Sequence, residues 1–416
     1  MISARPQSHG YRAVLAHGPL RRLLPAFAVS DLGDGMSVVT VAWLALQIAP
    51  SGASGMFVGA AVAAYILPGA AGALAFSRWL RRLPTLRLIQ ANAWTRAGFL
   101  GCIPLAWVTG TLHPALYVAL LAGSSLLHAW GGSAKYALVA ELVPDEQRLA
   151  ANALLSTSAW VSTIIGPALA GLLTVAIAPA LLIGLDALSF GWLAVQVGRL
   201  AGPRQGSLPP PEKARLGNGL RVLRTRPALL GLLTVTWLFN LAYGPVEVAL
   251  PLFVRQVLRA GPDVLGLYWA AFGVGAVVGA LTVGVVRKLP LWPVMLTIIA
   301  GHGLAMLPFG LPVPVTFSVV SFAFAGVIYG PYSALAFTLL QSLSPAALLT
   351  TVLAIRATVL LTASPVGAAI GGPLAASLGA RWTLAGTGIV MIAVAALAAI
   401  PAAGMTPALP QQGQMR

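Results

Sequence analysis

Long apolar stretches alternate with short polar loops along almost the whole chain. About twelve of these stretches have the ~20 residues that a helix needs to cross a bilayer. Their centres lie near Asp34, Tyr65, Phe99, Leu126, Ile164, Leu188, Phe239, Val274, Ala300, Phe324, Leu361 and Val390. Because an open sheet cannot satisfy its backbone in lipid, the pattern predicts an all-α polytopic membrane protein with twelve transmembrane helices.

One long polar segment, AGPRQGSLPPPEKARLGNGL (201–220), divides the stretches into two groups of six. Its proline, glycine and charge are typical of a linker. We therefore predict an N-terminal six-helix bundle over 1–200 and a cytoplasmic linker over 201–226. A C-terminal six-helix bundle is predicted over 227–404, followed by a disordered tail over 405–416.

The two halves echo each other. GALAFSRWLRRLP (72–84) returns as GALTVGVVRKLP (279–290), 207 positions later (279 minus 72), between the second and third stretch of each half. A weaker echo links IGPALAGLL (165–173) to IGGPLAASL (370–378). Each echo alone is compatible with chance, but their shared order predicts two pseudo-symmetric bundles. Such a repeat is the architecture of a secondary transporter whose substrate route runs between its halves.

Composition excludes a soluble protein. Charged residues make up 8% of the chain and hydrophobic residues 58%, whereas a soluble domain carries roughly 25% charged residues. The net charge of +16 would suit a nucleic-acid partner. The basic residues, however, form short clusters between apolar runs, as the positive-inside rule describes. We expect no nucleic-acid partner and a place in the lipid bilayer of the cell membrane.

The basic clusters fall in alternate loops. They include Arg12, Arg21, Arg22, Arg78, Arg81, Arg82, Arg87, Lys135, Arg148, the linker cations, Arg287 and Lys288. The intervening loops near Pro50, Thr111, Pro179 and Pro312 carry no Lys or Arg, with Arg255 and Arg259 as the main exception. Both termini are therefore predicted to be cytoplasmic.

Several stretches resemble one known family. They are SDLGDGMSVVTVAWLALQ (30–47), AELVPDEQRLAANALLSTSAW (140–160), IGPALAGLL (165–173), DALSF (186–190), YGPVEVALPLFV (243–254) and SPVGAAIGGPLAASLG (364–379). Through them the chain resembles the major facilitator superfamily, and is most similar to its macrolide and enterobactin exporter branch. The resemblance implies the major facilitator fold and export by alternating access.

Two family motifs are only partly kept. The superfamily loop G-x-L-A-D-R-x-G-R-R is matched by Gly72, Leu74, Ala75 and a basic cluster, but its acidic residue is missing. In the family that acid helps latch the halves together. The basic cluster would instead anchor at lipid head groups or pair with acids at the loop between the fourth and fifth stretches. It consists of Arg78, Arg81 and Arg82, and the acids are Glu141, Asp145 and Glu146.

The second motif is the span-five signature of antiporters, G-x-x-x-G-P-x-x-G-G. Gly166, Pro167 and Gly171 match it, while Ser162 and Ala170 replace two glycines. Small residues let helices approach closely, and Pro167 removes a backbone donor. The segment is either a gating hinge or a packing contact.

Ionisable groups inside a span are costly unless paired or hydrated, so each is a candidate functional residue. Ser30, Asp34 and Ser37 share one helix face, which we predict to line a water-filled cavity. Asp34 lies about 12 residues beyond Arg22, ~18 Å along a helix. It is the first candidate for carrying protons, with a structural bond as the alternative. Asp31, one turn closer to the cytoplasm, is the weaker candidate.

A second polar stripe lies in the seventh stretch. Asn240, Tyr243 and Glu247 follow each other at i, i+3 and i+7. Glu247 would bind protons or a cationic or polar substrate, or pair with Arg255. Asn240 and Tyr243 are then expected to line the substrate cavity.

The other candidates divide between cavity and structure. Arg96 and Asp186 are predicted to be structural charges, paired with each other or with Asp31 or Asp34. Arg356 would neutralise a carboxylate, bind an anionic substrate or have a structural role. The resemblance makes His128 a cavity candidate, and bulky ligands would suit an aromatic lining. The lining candidates are Tyr243, Phe272, Tyr329 and Tyr332, with helix packing as the alternative, and a structural role is favoured for the lone histidines His128 and His302.

The sequence contains no soluble catalytic motif. It has no G-x-x-x-x-G-K-[ST] loop and no H-E-x-x-H, and Cys102 is its single cysteine. We expect no enzyme activity, cofactor or metal site. The leading hypothesis is a monomeric proton antiporter that exports bulky, partly apolar, drug- or siderophore-like molecules. The alternatives are uptake of a small metabolite by symport or uniport, and a non-transporting membrane sensor or scaffold; a membrane enzyme ranks last.

Overall fold

The computed structural model describes residues 8–76, 83–200, 226–282, 289–344 and 349–402, and helices dominate these ranges. The first half of the chain contains α1 (Ser8–Ala16), α2 (Gly18–Ile48), α3 (Ser54–Ala75), α4 (Thr85–Val108), α5 (Pro114–Ser125), α6 (His128–Leu142), α7 (Asp145–Leu173) and α8 (Pro179–Gly198). The second half contains α9 (Pro227–Leu252), α10 (Pro262–Leu281), α11 (Leu291–Met306), α12 (Val315–Tyr329), α13 (Tyr332–Leu343), α14 (Leu349–Leu378) and α15 (Ala380–Ala402).

Each predicted stretch is occupied by a helix, and two stretches are broken. The fourth divides into α5 and α6 around Leu126, and the tenth into α12 and α13 at Gly330 and Pro331. Ten of the stretches are long and apolar enough to cross a membrane. The other two are α4 and α14, which carry Arg96 and Arg356. Within the described residues, the prediction of an all-α polytopic membrane fold is confirmed, with ten helices that qualify as membrane spans, and the count of twelve stays a prediction.

Helix packing follows a pseudo-two-fold pattern. In the first half α2 packs on α7, α3 on α5 and α4 on α8. The corresponding pairs of the second half are α9 with α14, α10 with α12 and α11 with α15. Between the halves, α3 packs on α14 and α7 on α10. α3 and α10 occupy equivalent positions in the two halves, and so do α7 and α14. The two contacts are therefore equivalent under the pseudo-two-fold relation, as a repeat requires.

The glycine that begins the echoed GAL segment has the same role in both halves. A side chain on Gly72 would collide with the carbonyl oxygen of Leu126, and one on Gly279 with that of Val327. Trp130 Nε1 also donates to the Gly72 carbonyl at 3.3 Å. Gly72 therefore permits a close helix crossing. The candidates Arg78, Arg81 and Arg82 lie outside the described residues.

The halves meet closely at the end of the bundle opposite the chain termini, here called the far end. A Cβ on Gly59 in α3 would lie 2.9 Å from the Gly372 Cα in α14. Across the other contact, a Cβ on Gly171 in α7 would lie 2.6 Å from the Gly266 Cα in α10. These backbone contacts leave no room for a passage between the paired helices at the far end.

Two side-chain contacts add to this far-end closure. Gln256 Nε2, in the turn after α9, donates to Ser54 Oγ at the start of α3 over 2.9 Å. The Arg255 guanidinium lies 5.6 Å from the centre of the Trp43 ring. Arg255, one of the two cations that depart from the predicted charge pattern of the loops, thus has a partner in the other half.

The buried core reflects the same arrangement. One hydrophobic cluster joins first-half helices to far-end residues of the second half, such as Val248 and Val254. A separate cluster, which includes Leu229, Leu340 and Val352, lies at the end that carries the termini, here called the near end. Within the described residues, the halves share their apolar core at the far end and have separate cores at the near end.

We predict that Gly35→Ala destabilises the fold. Gly35 in α2 lies against the Ser162 carbonyl and 3.3 Å from the Gly166 Cα, measured from the Cβ that alanine would add. Forcing atoms into such a site costs about 1–3 kcal/mol. The melting temperature of the purified protein in detergent should therefore fall.

The matched control is Gly132→Ala in α6, where an added Cβ meets nothing within 4 Å. Alanine is better than glycine in a helix by about 0.5–1 kcal/mol, so this variant should melt at the same temperature or higher. Equal melting temperatures for the two variants would contradict the close crossing of α2 and α7.

Candidate functional site

Five polar residues from five helices meet inside the first half. They are Asp34 in α2, Tyr65 in α3, Arg96 in α4, His128 in α6 and Asp186 in α8, and together they are called the charge cluster. They converge although 152 positions (186 minus 34) separate the two aspartates in sequence. The cluster is the most concentrated group of ionisable side chains in the described membrane region.

Asp34 is the accessible carboxylate of the cluster. Its Oδ1 pairs with Nη2 of Arg96 and accepts a hydrogen bond from the Tyr65 hydroxyl at 2.7 Å. The Asp34 side chain is 30% exposed, whereas Arg96 is 1% exposed. Asp34 is therefore a partly exposed carboxylate that is bound to a buried cation.

Arg96 lies at the centre of the cluster. Its Nη1 is 2.6 Å from His128 Nδ1, its Nη2 is 2.5 Å from the Tyr65 hydroxyl, and the guanidinium lies 4.4 Å from the centre of the Phe190 ring. Since arginine has only donors, Nδ1 of His128 must accept, which requires a neutral imidazole protonated at Nε2. His128, a cavity candidate, is exposed and bound to Arg96.

Asp186 lies behind Asp34 and is 2% exposed. Ser37 donates to its Oδ2 at 2.8 Å. Its carboxylate also interacts electrostatically with Arg96 and Asp34. Arg96 and Asp186 thus belong to the same cluster as the predicted proton carrier, one of the arrangements expected for them.

The predicted cavity-facing stripe is wrong for two of its three members. Ser30 is 3% exposed and Ser37 1% exposed, and both bond to α8, Ser30 through the Ser189 carbonyl. The reason is that α8 packs closely along this face of α2, where a side chain on Gly33 would strike Asp186. Asp34 is rotated by about 60° around the helix from Ser37, so it lies at the edge of that contact.

A separate ion pair holds Asp31. Lys135 Nζ in α6 donates to both carboxylate oxygens of Asp31, at 2.8 and 2.7 Å, and Ser158 donates to Oδ2 at 3.1 Å. The Lys135 ammonium also lies 5.0 Å from the centre of the Phe27 ring. One cation therefore balances one carboxylate here, unlike in the charge cluster.

Aromatic rings form a continuous group in the second half, called the aromatic cluster. It contains Phe239, Tyr243, Phe272, His302, Tyr329 and Tyr332, with ring centres 4.8 to 6.4 Å apart. Tyr243, Phe272 and Tyr329 are half-buried. Part of the surface of each of these three rings is therefore not covered by neighbouring side chains.

Tyr332 and His302 lie behind these rings instead of lining a cavity. Tyr332 is 3% exposed and packs on Phe239, with their ring centres 4.8 Å apart. His302 is fully buried, with Nδ1 3.1 Å from the Ala325 carbonyl oxygen. The cavity-lining interpretation of Tyr332 is therefore wrong in this conformation, because neighbouring rings cover it, whereas the burial of His302 agrees with the structural role favoured for it.

Glu247 is half-buried and accepts a hydrogen bond from Ser364 in α14 at 2.9 Å. The alternative pairing with Arg255 is wrong, because that guanidinium lies over Trp43 at the far end. Asn240 donates back to the Thr236 carbonyl of its own helix at 2.8 Å. Among the described contacts, Glu247 thus has a hydroxyl partner and not a cation.

Arg356 of α14 reaches the aromatic cluster. It is half-buried and interacts electrostatically with Tyr329 and Tyr332. The structure therefore places this candidate beside hydroxyl groups of the second half.

The antiporter-like signature makes two different helix contacts. Gly166 packs against Gly35 within the first half, and Gly171 packs against Gly266 across the halves. The echoed segment repeats this division, since Gly371 packs against Pro245 in α9 and Gly372 against α3. The carbonyl of Pro167 also faces Gly266. The packing interpretation thus has a structural basis, and the hinge interpretation stays a prediction.

Three partners in these sites were not singled out from the sequence. Tyr65 and Ser364 carry no charge that would draw attention in an apolar helix. Lys135 was assigned to a loop, although it stands seven residues after His128, a spacing that puts both on one helix face.

The hydroxyl of Thr85, in the predicted loop between the second and third stretches, donates to Glu141, one of the acids considered as partners of the arginine cluster.

Comparison with known proteins agrees with this arrangement. The sequence profile of the Major Facilitator Superfamily matches residues 23–368. The chain is 27% identical over 395 residues to the multidrug efflux pump Tap of Mycolicibacterium fortuitum, which covers 92% of this chain and 95% of Tap. It is 28% identical over 317 residues to the enterobactin exporter EntS of Citrobacter koseri, which covers 73% of this chain and 74% of EntS.

The fold is also similar to that of solved transporters. It matches the crystal structure of a bacterial homologue of the human lysosomal transporter Spinster in an inward-facing conformation, with a TM-score of 0.70. That match covers 95% of this chain and 97% of the homologue, at 13% sequence identity.

Proposed function

Because the chain belongs to the major facilitator superfamily, and is therefore a multi-pass membrane transporter of small molecules and not an enzyme, we propose that it exports bulky, partly apolar molecules in exchange for protons. The observation that carries this proposal is Asp34, a 30% exposed carboxylate bound to the buried Arg96 of the charge cluster. The relatives named as efflux pumps support export as the direction.

The far-end closure supports alternating access. The clustering of basic residues in alternate loops supports an orientation with the near end, and both termini, on the cytoplasmic side of the cell membrane. In this conformation a substrate would therefore reach the site from the cytoplasmic side. Export then requires the paired helices α3 with α14 and α7 with α10 to part at the far end while the halves rock together at the near end. The transporter would act as a monomer, since both halves of the route are in one chain.

The aromatic cluster supports a bulky, partly apolar substrate. Tyr243, Phe272 and Tyr329 present half-buried ring faces, and Glu247 lies one helical turn from Tyr243. Ring faces bind flat apolar groups, and a few convergent polar groups fix their orientation. Asn240 and Arg356 provide further polar groups on this wall.

Proton exchange would occur on the other wall. Ionised Asp34 binds Arg96, whereas protonated Asp34 would loosen this ion pair and release the contact between α2 and α4. A ligand that binds one state better shifts the equilibrium between the two conformations. Proton and substrate would therefore be bound in turn.

The test is transport of ethidium, a fluorescent lipophilic cation, into energised inverted membrane vesicles. We expect accumulation that an uncoupler abolishes, together with partial loss of the pH gradient when ethidium is added. Vesicles without the protein provide the control. Accumulation that persists after the uncoupler would contradict proton exchange, and movement only out of inverted vesicles would contradict export.

A further inference from the structure

We propose that Asp186 is the second carboxylate of a single proton-binding site, in which Asp34, paired with Arg96, and the buried Asp186 behind the Ser37 hydroxyl together hold one proton. The inference rests on the proposed proton coupling and names the residues that set it. It changes the role of Asp186 from a structural charge to a positioning residue that determines how many protons the cluster holds.

The first argument is the charge balance. The cluster contains two carboxylates, on α2 and α8, and one guanidinium, on α4. His128 on α6 accepts from Arg96 and is neutral, while Tyr65 and Ser37 contribute neutral hydroxyls. The formal charge without an added proton is therefore −1.

The second argument is burial. Asp186 is 2% exposed and Arg96 1% exposed, so water cannot stabilise the excess charge at the inner end of the cluster. An uncompensated charge in the membrane interior costs several kcal/mol. One added proton makes the cluster neutral, whereas a second would leave it with a positive charge.

The third argument is the division of roles between the two carboxylates. Asp34 binds Arg96 directly and is 30% exposed, so it provides the entry for the proton. Asp186 accepts from Ser37 at 2.8 Å and interacts with Arg96 from behind. When Asp34 takes up a proton, Arg96 remains to balance Asp186. When that proton leaves, the charge of −1 favours a cationic group in the cavity.

The neighbouring Asp31 provides a natural contrast. It interacts with Asp34, but Lys135 contacts both of its carboxylate oxygens. That pair is neutral without a proton. A proton bound in this part of the first half is therefore assigned to the charge cluster and not to Asp31.

The experiment is infrared difference spectroscopy of the purified protein in lipid nanodiscs, between acidic and alkaline buffer. The carbonyl stretch of a protonated carboxylic acid reports the bound proton directly. All variants carry Glu247→Gln, which removes the other carboxyl of the described interior without a cation beside it. We expect one protonated-carboxyl band in the parent, its loss in Asp186→Asn, and its loss in Asp34→Asn.

Two variants guard against misfolding and non-specific effects. Asp31→Asn should retain the band, because the Asp31–Lys135 pair contributes no proton. Asp186→Glu should also retain it, at a shifted frequency, because it restores the second carboxylate. A band of parental size in Asp186→Asn would overturn the inference, and so would a band that disappears in Asp31→Asn and persists in Asp34→Asn.

The outcome is separable from that of the proposed function. A band lost in Asp186→Asn would support the shared site even if ethidium were not transported. Uncoupler-sensitive ethidium transport combined with an unchanged band in Asp186→Asn would support proton exchange and overturn the role of Asp186.

Discussion

Vesicles that contain Asp34→Asn are expected to accumulate no more ethidium than vesicles without the protein. Asparagine keeps the size of Asp34 and can still accept from Tyr65, but it cannot bind and release a proton. It also removes the charge that holds Arg96, which is 1% exposed. The measurement is uncoupler-sensitive accumulation at equal amounts of folded protein.

Asp34→Glu and Asp31→Asn are the controls for this experiment. Glutamate restores a titratable carboxyl and should recover part of the transport. Asp31→Asn breaks a partly buried ion pair one helical turn away and should lower the melting temperature while uncoupler-sensitive transport persists. Full transport by Asp34→Asn, or loss of transport only in Asp31→Asn, would contradict the assignment of the proton to Asp34.

The sequence predicted the fold more completely than the site. Apolar stretches of the length of a bilayer were sufficient for all twelve helix positions, because lipid leaves few other ways to satisfy the backbone. The echoed glycines Gly72 and Gly279 were found for a related reason. A close crossing tolerates no side chain, so the residue persists in both halves at the same place.

The partners within the site could not be read from the same patterns. Ser30 and Ser37 have the spacing of a cavity-lining stripe, but α8, about 150 residues away in sequence, covers them. Helix periodicity predicts which residues share a face and not which helix packs against that face. The role proposed for Asp186 depends on a count of charges from three helices, α2, α4 and α8. Such a count requires knowing which helices meet.

The position of Arg255 in the fold explains why it departs from the charge pattern of the loops. In the sequence it is a cation in a loop assigned to the non-cytoplasmic side, so it weakened the predicted orientation. In the fold its guanidinium faces Trp43 of the other half, beside the hydrogen bond between Gln256 and Ser54. The loop after α9 therefore belongs to the far-end contact between the halves, which leads to the second large prediction.

Linking Ser54→Cys to Gln256→Cys is expected to reduce transport to the level of vesicles without the protein. The two native side chains are joined by a 2.9 Å hydrogen bond at the far end, so a short bifunctional thiol reagent can span the new cysteines. The link holds α3 against the turn after α9 and prevents the halves from parting. Cys102, the single and exposed native cysteine, is first replaced by alanine.

A matched pair within the first half separates this effect from chemical damage. Thr109 and Thr111 lie in the loop after α4 at the far end, with their hydroxyl oxygens 2.9 Å apart. Cysteines at these two positions should link equally well and leave transport unchanged, because both move with the same half. A reagent with a reducible disulfide in its spacer should restore transport by the first pair after reduction.

The cross-link also distinguishes two interpretations of the far-end closure: permanent packing of the halves, or one of two conformations of a moving interface. If the glycine contacts of α3 with α14 and of α7 with α10 were permanent packing, a link between Ser54 and Gln256 would change nothing. Complete cross-linking with undiminished transport would therefore contradict alternating access through the far end. Loss of transport that reduction reverses would identify the described conformation as one of two states between which the halves must move.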